Sequence, residues 1–139
     1  MAANIPAVLK PLASAFPAAE SLWDDENQVL ALRFPHFYPG TDEEVMVYAT
    51  PDEETSGWKV DDGGSAAALL DACGADPSAP GITEYLKTVY EESVLMMNEA
   101  GEFGIPVIEP EDFPKAAAEV ASRSVALYVL GRFGAAGRE

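Results

Sequence analysis

Two adjacent aspartates followed by two glycines, Asp61-Asp62-Gly63-Gly64, are the residues of this chain best suited to chemistry. A pair of carboxylates could bind a divalent cation or exchange a proton with a substrate. Neighbouring side chains of a strand point to opposite faces, however, so two consecutive aspartates would not easily share one metal ion there. We therefore interpret the segment as a junction between a strand and a helix, in which Asp62 or Ser65 caps the helix and the glycines take conformations unfavourable to other residues.

The single histidine and the single cysteine are the other candidates for catalysis. His36 could act as a general base, but no serine or cysteine nucleophile stands in a recognisable companion motif. Cys73 follows Leu69 and Leu70 on the apolar face of a predicted short helix, so we expect it to be a small buried hydrophobe. One cysteine allows no internal disulfide, which favours a reducing compartment. We predict no catalytic residue, no metal and no cofactor.

The strongest compositional signal is the charge, with 24 acidic against eight basic residues and a net charge of −16 over 139 residues. Such a surface repels nucleic acid and anionic membranes and attracts basic proteins. We therefore expect a basic or nucleic-acid-binding protein as partner, with no direct binding of nucleic acid or membrane. The alternatives are adaptation to a high-salt cytoplasm and simple solubility. Without a signal-peptide pattern or a long apolar run, the expected location is the cytoplasm.

Acidic residues cluster in three predicted turns: Asp24-Asp25-Glu26, Asp42-Glu43-Glu44 and Asp52-Glu53-Glu54. Successive hairpin turns alternate between the two ends of a sheet, so two of the three runs could lie at one end. Such a cluster would resemble a short row of phosphates; the alternative is that these turns are only solvated. The aromatic loop before the second run adds Phe37 and Tyr38 as candidate partner contacts, because aromatic residues are favoured as interface anchors.

The N-terminal half predicts one helix followed by strands. Apolar residues at helical spacing predict a helix over 5–16, which Pro11 should divide into two short pieces. Strands are predicted over 28–34, 44–50 and 58–60, with polar turns between them. A second helix follows Ser65 and ends before Gly74, a residue suited to the position just past a helix end.

The C-terminal half predicts a helix over 82–92, a hairpin with strands over 94–97 and 103–108, and an alanine-rich helix over 114–130 that ends in a frayed tail from Gly131. Pro106 cannot donate to a ladder, so its strand should lie at an edge or a bulge. The order α-β-β-β-α-α-β-β-α lacks βαβ units. It predicts a single acidic α+β domain over residues 1–139, with a small antiparallel sheet of about five strands, in two hairpin systems, flanked by helices.

Several of these segments resemble a known family. The strand end "LRFPHF", the strand "EEVMVYAT" and the run "WKVDDG" that leads into a helix with Leu70, Gly74 and Asp76 are similar to the family catalogued as domain of unknown function 1828, common in bacteria and their phages. The similarity spans about residues 28–130. The chain departs from the family pattern at two positions. It has Val60 where the family often has threonine, and Gly64 where the family has an aromatic residue. The resemblance implies no established enzyme chemistry, and it implies a phage or mobile-element setting.

Charge and resemblance together predict a non-enzymatic phage or mobile-element protein that binds a basic partner in the host cytoplasm. Its sharpest form is an anti-CRISPR-like inhibitor that blocks a host defence complex by nucleic-acid mimicry or steric exclusion. Two alternatives stay open at this point. One is a metal-assisted hydrolase that uses Asp61 and Asp62, and the other is a structural homodimer from an acidic, halophilic proteome.

Overall fold

Four helices cover one face of a six-stranded antiparallel sheet in the computed structural model, which describes residues 5–54, 57–76 and 78–134. The strands are β1 (Glu20–Asp24), β2 (Val29–Phe37), β3 (Glu44–Asp52), β4 (Gly57–Asp61), β5 (Met96–Met97) and β6 (Phe103–Val107). The helices are α1 (Lys10–Ala15), α2 (Ser65–Ala72), α3 (Pro80–Ser93) and α4 (Phe113–Val129). Short 3₁₀ turns span Ala7–Leu9 and Pro110–Asp112, and a π-helical turn spans Leu130–Gly134. The predicted α+β class is confirmed, with six strands in place of about five.

The additional strand is β1, which lies outside the strands predicted from the sequence and ends at the first acidic turn. It pairs antiparallel with β2, so that Ser21 lies opposite Leu32 and Trp23 opposite Leu30. Because both leucines are buried, Ser21 and Trp23 face the helices, while Leu22 between them faces away. The strand is short and ends in acidic residues, which is why its alternation was read as part of a turn.

The order of strands is β1-β2-β3-β4-β6-β5, and every neighbouring pair is antiparallel. Consecutive hairpin turns therefore alternate between the two ends of the sheet. The β1–β2 and β3–β4 turns, with acidic residues 24–26 and 52–54, share one end, which we call the acidic end. The turn with residues 42–44 lies at the opposite end. Two of the three acidic runs thus share an end, about 10 Å apart if each strand spacing is about 4.8 Å.

The strands separate a buried face from an uncovered one. On β3, Val45, Val47 and Ala49 are buried, and α4 packs against β3, β4 and β6 on this side through residues such as Val120 and Leu127. The residues that alternate with them project to the other side, which the four helices leave uncovered. We call this side the open face. Within the described residues, a single layer of helices therefore covers one side of the sheet and leaves the other side without a helix.

Pro106 occupies the edge position that the sequence predicted. Asp62 and Phe103 exchange hydrogen bonds, since the N–H of Asp62 donates to the carbonyl of Phe103 and the N–H of Phe103 donates to the Asp62 carboxylate. Alternate residues of β6 therefore direct their backbone groups towards β4, and Pro106 directs its own outward. The short β5 pairs only with Phe103 and Gly104, so β6 is itself the sheet edge at Pro106 and loses no ladder hydrogen bond.

Three boundaries differ from the prediction. The first helix is divided just before Lys10, so that Pro11 stands in the first turn of α1, where its missing N–H is not needed. The hairpin strand predicted over 94–97 is reduced to Met96–Met97, because Val94 ends α3. The tail predicted to fray at Gly131 is packed there instead: Gly131 is buried in the π-helical turn, where a Cβ would lie 2.6 Å from a methyl group of Leu70.

Candidate protein-binding face

The Asp61-Asp62 pair is divided between two separate hydrogen-bond sets. The fully buried Asp62 accepts four hydrogen bonds, from the backbone N–H groups of Gly64 (2.8 Å), Phe103 (3.0 Å) and Ala66 (3.4 Å) and from the hydroxyl of Ser124 (2.6 Å). Ala66 belongs to the first turn of α2, so Asp62 accepts from a free N–H of this helix as predicted, although Gly64 stands at the cap position. The same carboxylate also joins this helix to β6 and α4.

The two glycines allow the chain to turn between strand and helix. Gly63 and Gly64 have φ of 68° and 85°, in the left-handed region that side chains disfavour. The aromatic ring of Tyr48 packs on Gly63, since a Cβ there would lie 2.5 Å from its Cε2. Ser65 is the first residue of α2, and its side chain forms no cap hydrogen bond. The expectation that Ser65 could cap the helix is therefore wrong, because Gly64 takes the cap position.

Asp61 belongs to a small ion-pair group at the open face. Its Oδ1 accepts from the N–H of Gly63 at 2.7 Å, and its Oδ2 lies 3.5 Å from the ammonium of Lys59, which also donates to Glu102 at 2.7 Å. Burial raises the pKa of Asp61 despite the opposing hydrogen bond from Gly63 and the charge of Lys59. Hydrogen bonds from Lys59 and Asn98 lower the pKa of Glu102.

This geometry does not suit the metal-assisted hydrolase. A catalytic metal needs several ligands and an open coordination position for substrate. Both carboxylate oxygens of the buried Asp62 accept hydrogen bonds from protein donors, and the Asp61 side chain is only 4% exposed. Among residues 5–54, 57–76 and 78–134, no group of three His, Cys, Asp or Glu side chains could hold a metal ion. The pair fits a role in folding.

Tyr38, predicted as a partner contact, lies in the core. It is fully buried, its ring packs edge-on against Tyr128 at 5.6 Å, and its hydroxyl lies 2.6 Å from Oγ of Ser124. Because Ser124 donates its proton to Asp62, the Tyr38 hydroxyl donates to Ser124. Burial raises the pKa of Tyr38 to about 12. The partner-contact prediction is wrong for Tyr38, since the register of β2 shifts after Arg33 and turns this ring inward.

The two other catalytic candidates are exposed and lie on different elements. His36 stands near the end of β2. Cys73 stands just past the end of α2, where its thiol donates to the carbonyl of Leu70 at 3.3 Å. The expectation of a buried cysteine is wrong, because α2 ends at Ala72 and the apolar face ends with it. Gly74 follows with a φ of 78°, which confirms its predicted place past the helix end.

The open face carries one continuous row of side chains across all six strands. The register aligns Leu22, Ala31, Tyr48, Asp61, Gly104 and Met96. Leu22 and Met96, at the two ends of the row, are 42% and 54% exposed. Phe37 lies opposite Glu44 on the same face and is 55% exposed. Large apolar side chains are therefore presented to solvent on β1, β2 and β5.

Between β4, β6 and β5 the open face dips into a groove of about 460 Å³, which we call the face groove. Its lining includes Asp52, Glu53 and Glu54 at one end and Lys59, Met96 and Pro106 along its length. Gly104 allows β4 and β6 to approach closely here, since a Cβ would lie 2.4 Å from the carbonyl oxygen of Val60. The face groove thus runs from the apolar row to the acidic end.

Charges on the open face are unevenly compensated. Its two basic side chains are held in internal ion pairs, Arg33 with Glu20 and Glu44, and Lys59 with Asp61 and Glu102. Residues 24–26 and 52–54 at the acidic end comprise six acids and no base. The acidic residues predicted to bind a partner are therefore brought together for these two runs, and the run at 42–44 lies at the other end.

Sequence reasoning named Phe37 but missed two other apolar members of this face, Leu22 and Met96. Leu22 lies outside the strands predicted from the sequence, and Met96 lies within the strand predicted over 94–97. The alternation in "ESLWD" is the signal that could have identified β1, and it places Leu22 on the side opposite Trp23. No pattern within the sequence gives the register that aligns Leu22 with Met96, because five successive pairings intervene.

Comparison of the chain with models of protein families, with curated proteins and with solved structures found no match in any of the three. The resemblance to domain of unknown function 1828 therefore stays a prediction. Within the described part of the chain, none of the helices has the length and apolar character required to cross a membrane.

Proposed function

We propose that this protein acts by binding a basic protein partner through its open face. The observation that carries the proposal is the row of side chains that crosses all six strands beside the acidic end. Five strand spacings make this row about 24 Å long. Leu22, Phe37 and Met96 expose apolar side chains on this one face, and apolar surface left uncovered commonly marks protein–protein contacts.

Charge selects the kind of partner. Two copies of this chain meeting through the open face would bring together two molecules that each carry a net charge of −16. That arrangement is repulsive at ordinary ionic strength, whereas lysines and arginines of a partner would be attracted to the acidic residues. The partner would cover the row from Leu22 to Met96 with apolar side chains and the acidic end with basic ones. Its association should be fast and sensitive to salt.

A narrower proposal is that the partner binds nucleic acid and that the acidic end occupies its nucleic-acid groove. The net charge and the two acidic runs at one end support this proposal. The anti-CRISPR-like role, the phage or mobile-element origin and the host cytoplasm as location belong to the same narrower proposal. They rest on the resemblance to domain of unknown function 1828.

The test compares two charge-matched variants in capture and affinity measurements. Biotin-labelled protein is used to capture partners from a bacterial lysate at low salt, and the affinity of each captured and purified partner is then measured. Glu53→Gln with Glu54→Gln removes two charges at the acidic end, and Asp42→Asn with Glu43→Gln removes two at the other end. We expect the first pair to weaken binding at least about tenfold, as lost partners of desolvated charges do, and the second to change it less than about twofold.

Equal effects of both pairs would reduce the interaction to unspecific charge attraction and contradict the proposal, as would capture of no basic protein. Leu22→Asn tests the apolar row in the same assay, and unchanged affinity of this variant would exclude the row from the interface. Competition by DNA or RNA tests only the narrower proposal. Sedimentation at low and at molar salt tests the homodimer, and thermal stabilisation confined to molar salt would favour halophilic adaptation instead.

A further inference from the structure

A second groove lies between the end of α3, the edge of β6 and the beginning of α4. Its volume is about 600 Å³, and we call it the edge groove. Val94 and Ile108 form apolar parts of its wall and are 53% and 62% exposed. Pro106 contributes to the floor and is shared with the face groove. Two large aliphatic side chains are thus held in solvent beside a depression that could receive a third.

Val94 is held in a backbone conformation that valine disfavours. It ends α3 with φ 60° and ψ 17°, and its N–H donates to the carbonyl of Tyr90 at 2.9 Å. Glycine or asparagine is the usual residue at such a left-handed helix end, and a β-branched residue there is strained. The same chain uses glycine at the end of α2, where Gly74 has a φ of 78°. The exposed Val94 side chain fills no place in the core that would offset this strain.

Carboxylates surround the apolar wall of the edge groove. Glu92 and Glu119 line it and both pair with Arg123, at 3.0 and 3.2 Å. Glu109 and Asp112 also line it and form no ion pair within the described residues, where Lys115 is the single basic side chain of the lining. The edge groove therefore complements a segment that combines an aliphatic side chain with positive charge.

We propose that the edge groove binds a partner segment that inserts an aliphatic side chain between Val94 and Ile108 and places a lysine or arginine against Glu109 and Asp112. Strand addition along β6 does not explain the site, because Pro106 offers no outward N–H. The strain at Val94 then has a function, since the side chain that strains the helix end is the one that contacts the partner. The proposal for the edge groove does not rest on the binding proposed for the open face.

The test uses two synthetic peptides of equal length and charge, one with the repeat Lys-Leu-Lys and one with the repeat Lys-Ser-Lys. Isotope-labelled protein is titrated with each peptide, and amide chemical shifts are followed by NMR. We expect the leucine peptide to shift the amides of Val94, Ile108 and Asp112, and the serine peptide to leave Val94 and Ile108 unchanged. Shifts confined to the open face would overturn the proposal. Shifts that depend on protein concentration without peptide would also overturn it, because the occupant would then be a second copy.

Val94→Asn separates binding from folding. The variant should raise Tm by about 2–4 °C, because asparagine tolerates the left-handed conformation. It should also weaken the affinity for the leucine peptide about fivefold or more. Because the variant is expected to be more stable than the wild type, this loss of binding could not be ascribed to unfolding. Glu53→Gln with Glu54→Gln is the control and should leave the Val94 and Ile108 shifts in place. A Val94→Asn variant that binds the leucine peptide as tightly as the wild type would refute the proposed contact.

Discussion

Replacing Asp62 with alanine would show whether one buried carboxylate holds the junction between strand, helix and sheet. The substitution leaves the buried N–H of Phe103 and the hydroxyl of Ser124 without their acceptor. Each orphaned donor costs about 1–3 kcal/mol. Loss of the cap on α2 adds about 0.5–2 kcal/mol. With partial relaxation, we expect Asp62→Ala to lower the free energy of unfolding by about 3–6 kcal/mol, a large share of the about 5–15 kcal/mol typical of a domain.

Urea unfolding followed by circular dichroism and tryptophan fluorescence measures this change by linear extrapolation at constant m-value. Asp62→Asn keeps one carbonyl acceptor but places an NH₂ group beside Ser124, so its cost should lie between wild type and alanine. It also supplies a measurement if the alanine variant does not fold. Asp76→Ala is the matched control, because among the described residues the exposed Asp76 carboxylate accepts hydrogen bonds from Ser78 alone, and it should cost less than about 1 kcal/mol.

The size of the stability loss in Asp62→Ala distinguishes a carboxylate that joins several elements from one that only caps a helix. A helix cap alone is worth about 0.5–2 kcal/mol. If Asp62→Ala costs no more than that, or no more than Asp76→Ala, then the contacts to Phe103 and Ser124 contribute little and the reasoning from the buried carboxylate fails.

Three further predictions concern pH, close packing and the thiol. Burial raises the pKa of Tyr38 to about 12 in the folded state, against 10.0 for an ordinary tyrosine, so the protonated hydroxyl stabilises the fold fully below pH 10 and this stabilisation is lost as pH rises towards 12. Between about pH 9 and pH 11, the free energy of unfolding of the wild type should therefore fall by about 1 kcal/mol more than that of Tyr38→Phe, as measured by urea unfolding. Gly104→Ala should cost about 1–3 kcal/mol by the same measurement, because its Cβ would meet the backbone of Val60; an unchanged midpoint would contradict the close approach. Cys73→Ser should change stability by less than about 0.5 kcal/mol, since the thiol is exposed, and should abolish any disulfide-linked dimer on a non-reducing gel.

The elements with strong local patterns were predictable from the sequence. The alternating, β-branched segment from Glu44 to Thr50 predicted β3. Gly74 marked the end of α2, and Pro106 marked the edge of β6, because each residue has a conformational or hydrogen-bonding constraint that acts locally. For the same reason the switch from strand to helix after Asp61 could be placed at its glycines.

The features set by distant parts of the chain were not predictable. Tyr38 seemed a loop aromatic because its buried partner Ser124 lies 86 positions further along the sequence. Cys73 was judged from helical spacing, which cannot tell that the helix has already ended at that residue. The hydrogen-bond cluster at the Asp62 carboxylate likewise needs Ser124, which belongs to α4. In each case tertiary packing, and not local propensity, decides whether the side chain is buried.

The two aspartates show how consecutive residues can serve the two sides of one sheet. Asp61 is the last residue of β4 and lies on the open-face side, within the row that runs from Leu22 to Met96, with its side chain only 4% exposed. Asp62, one position later, turns into the core and joins β4, α2, β6 and α4. Because consecutive residues point to opposite sides, the same dipeptide supplies a buried acceptor for the core and an ion-pair partner for Lys59 on the other side of the sheet. The register that forms the open face therefore depends on the buried half of the pair.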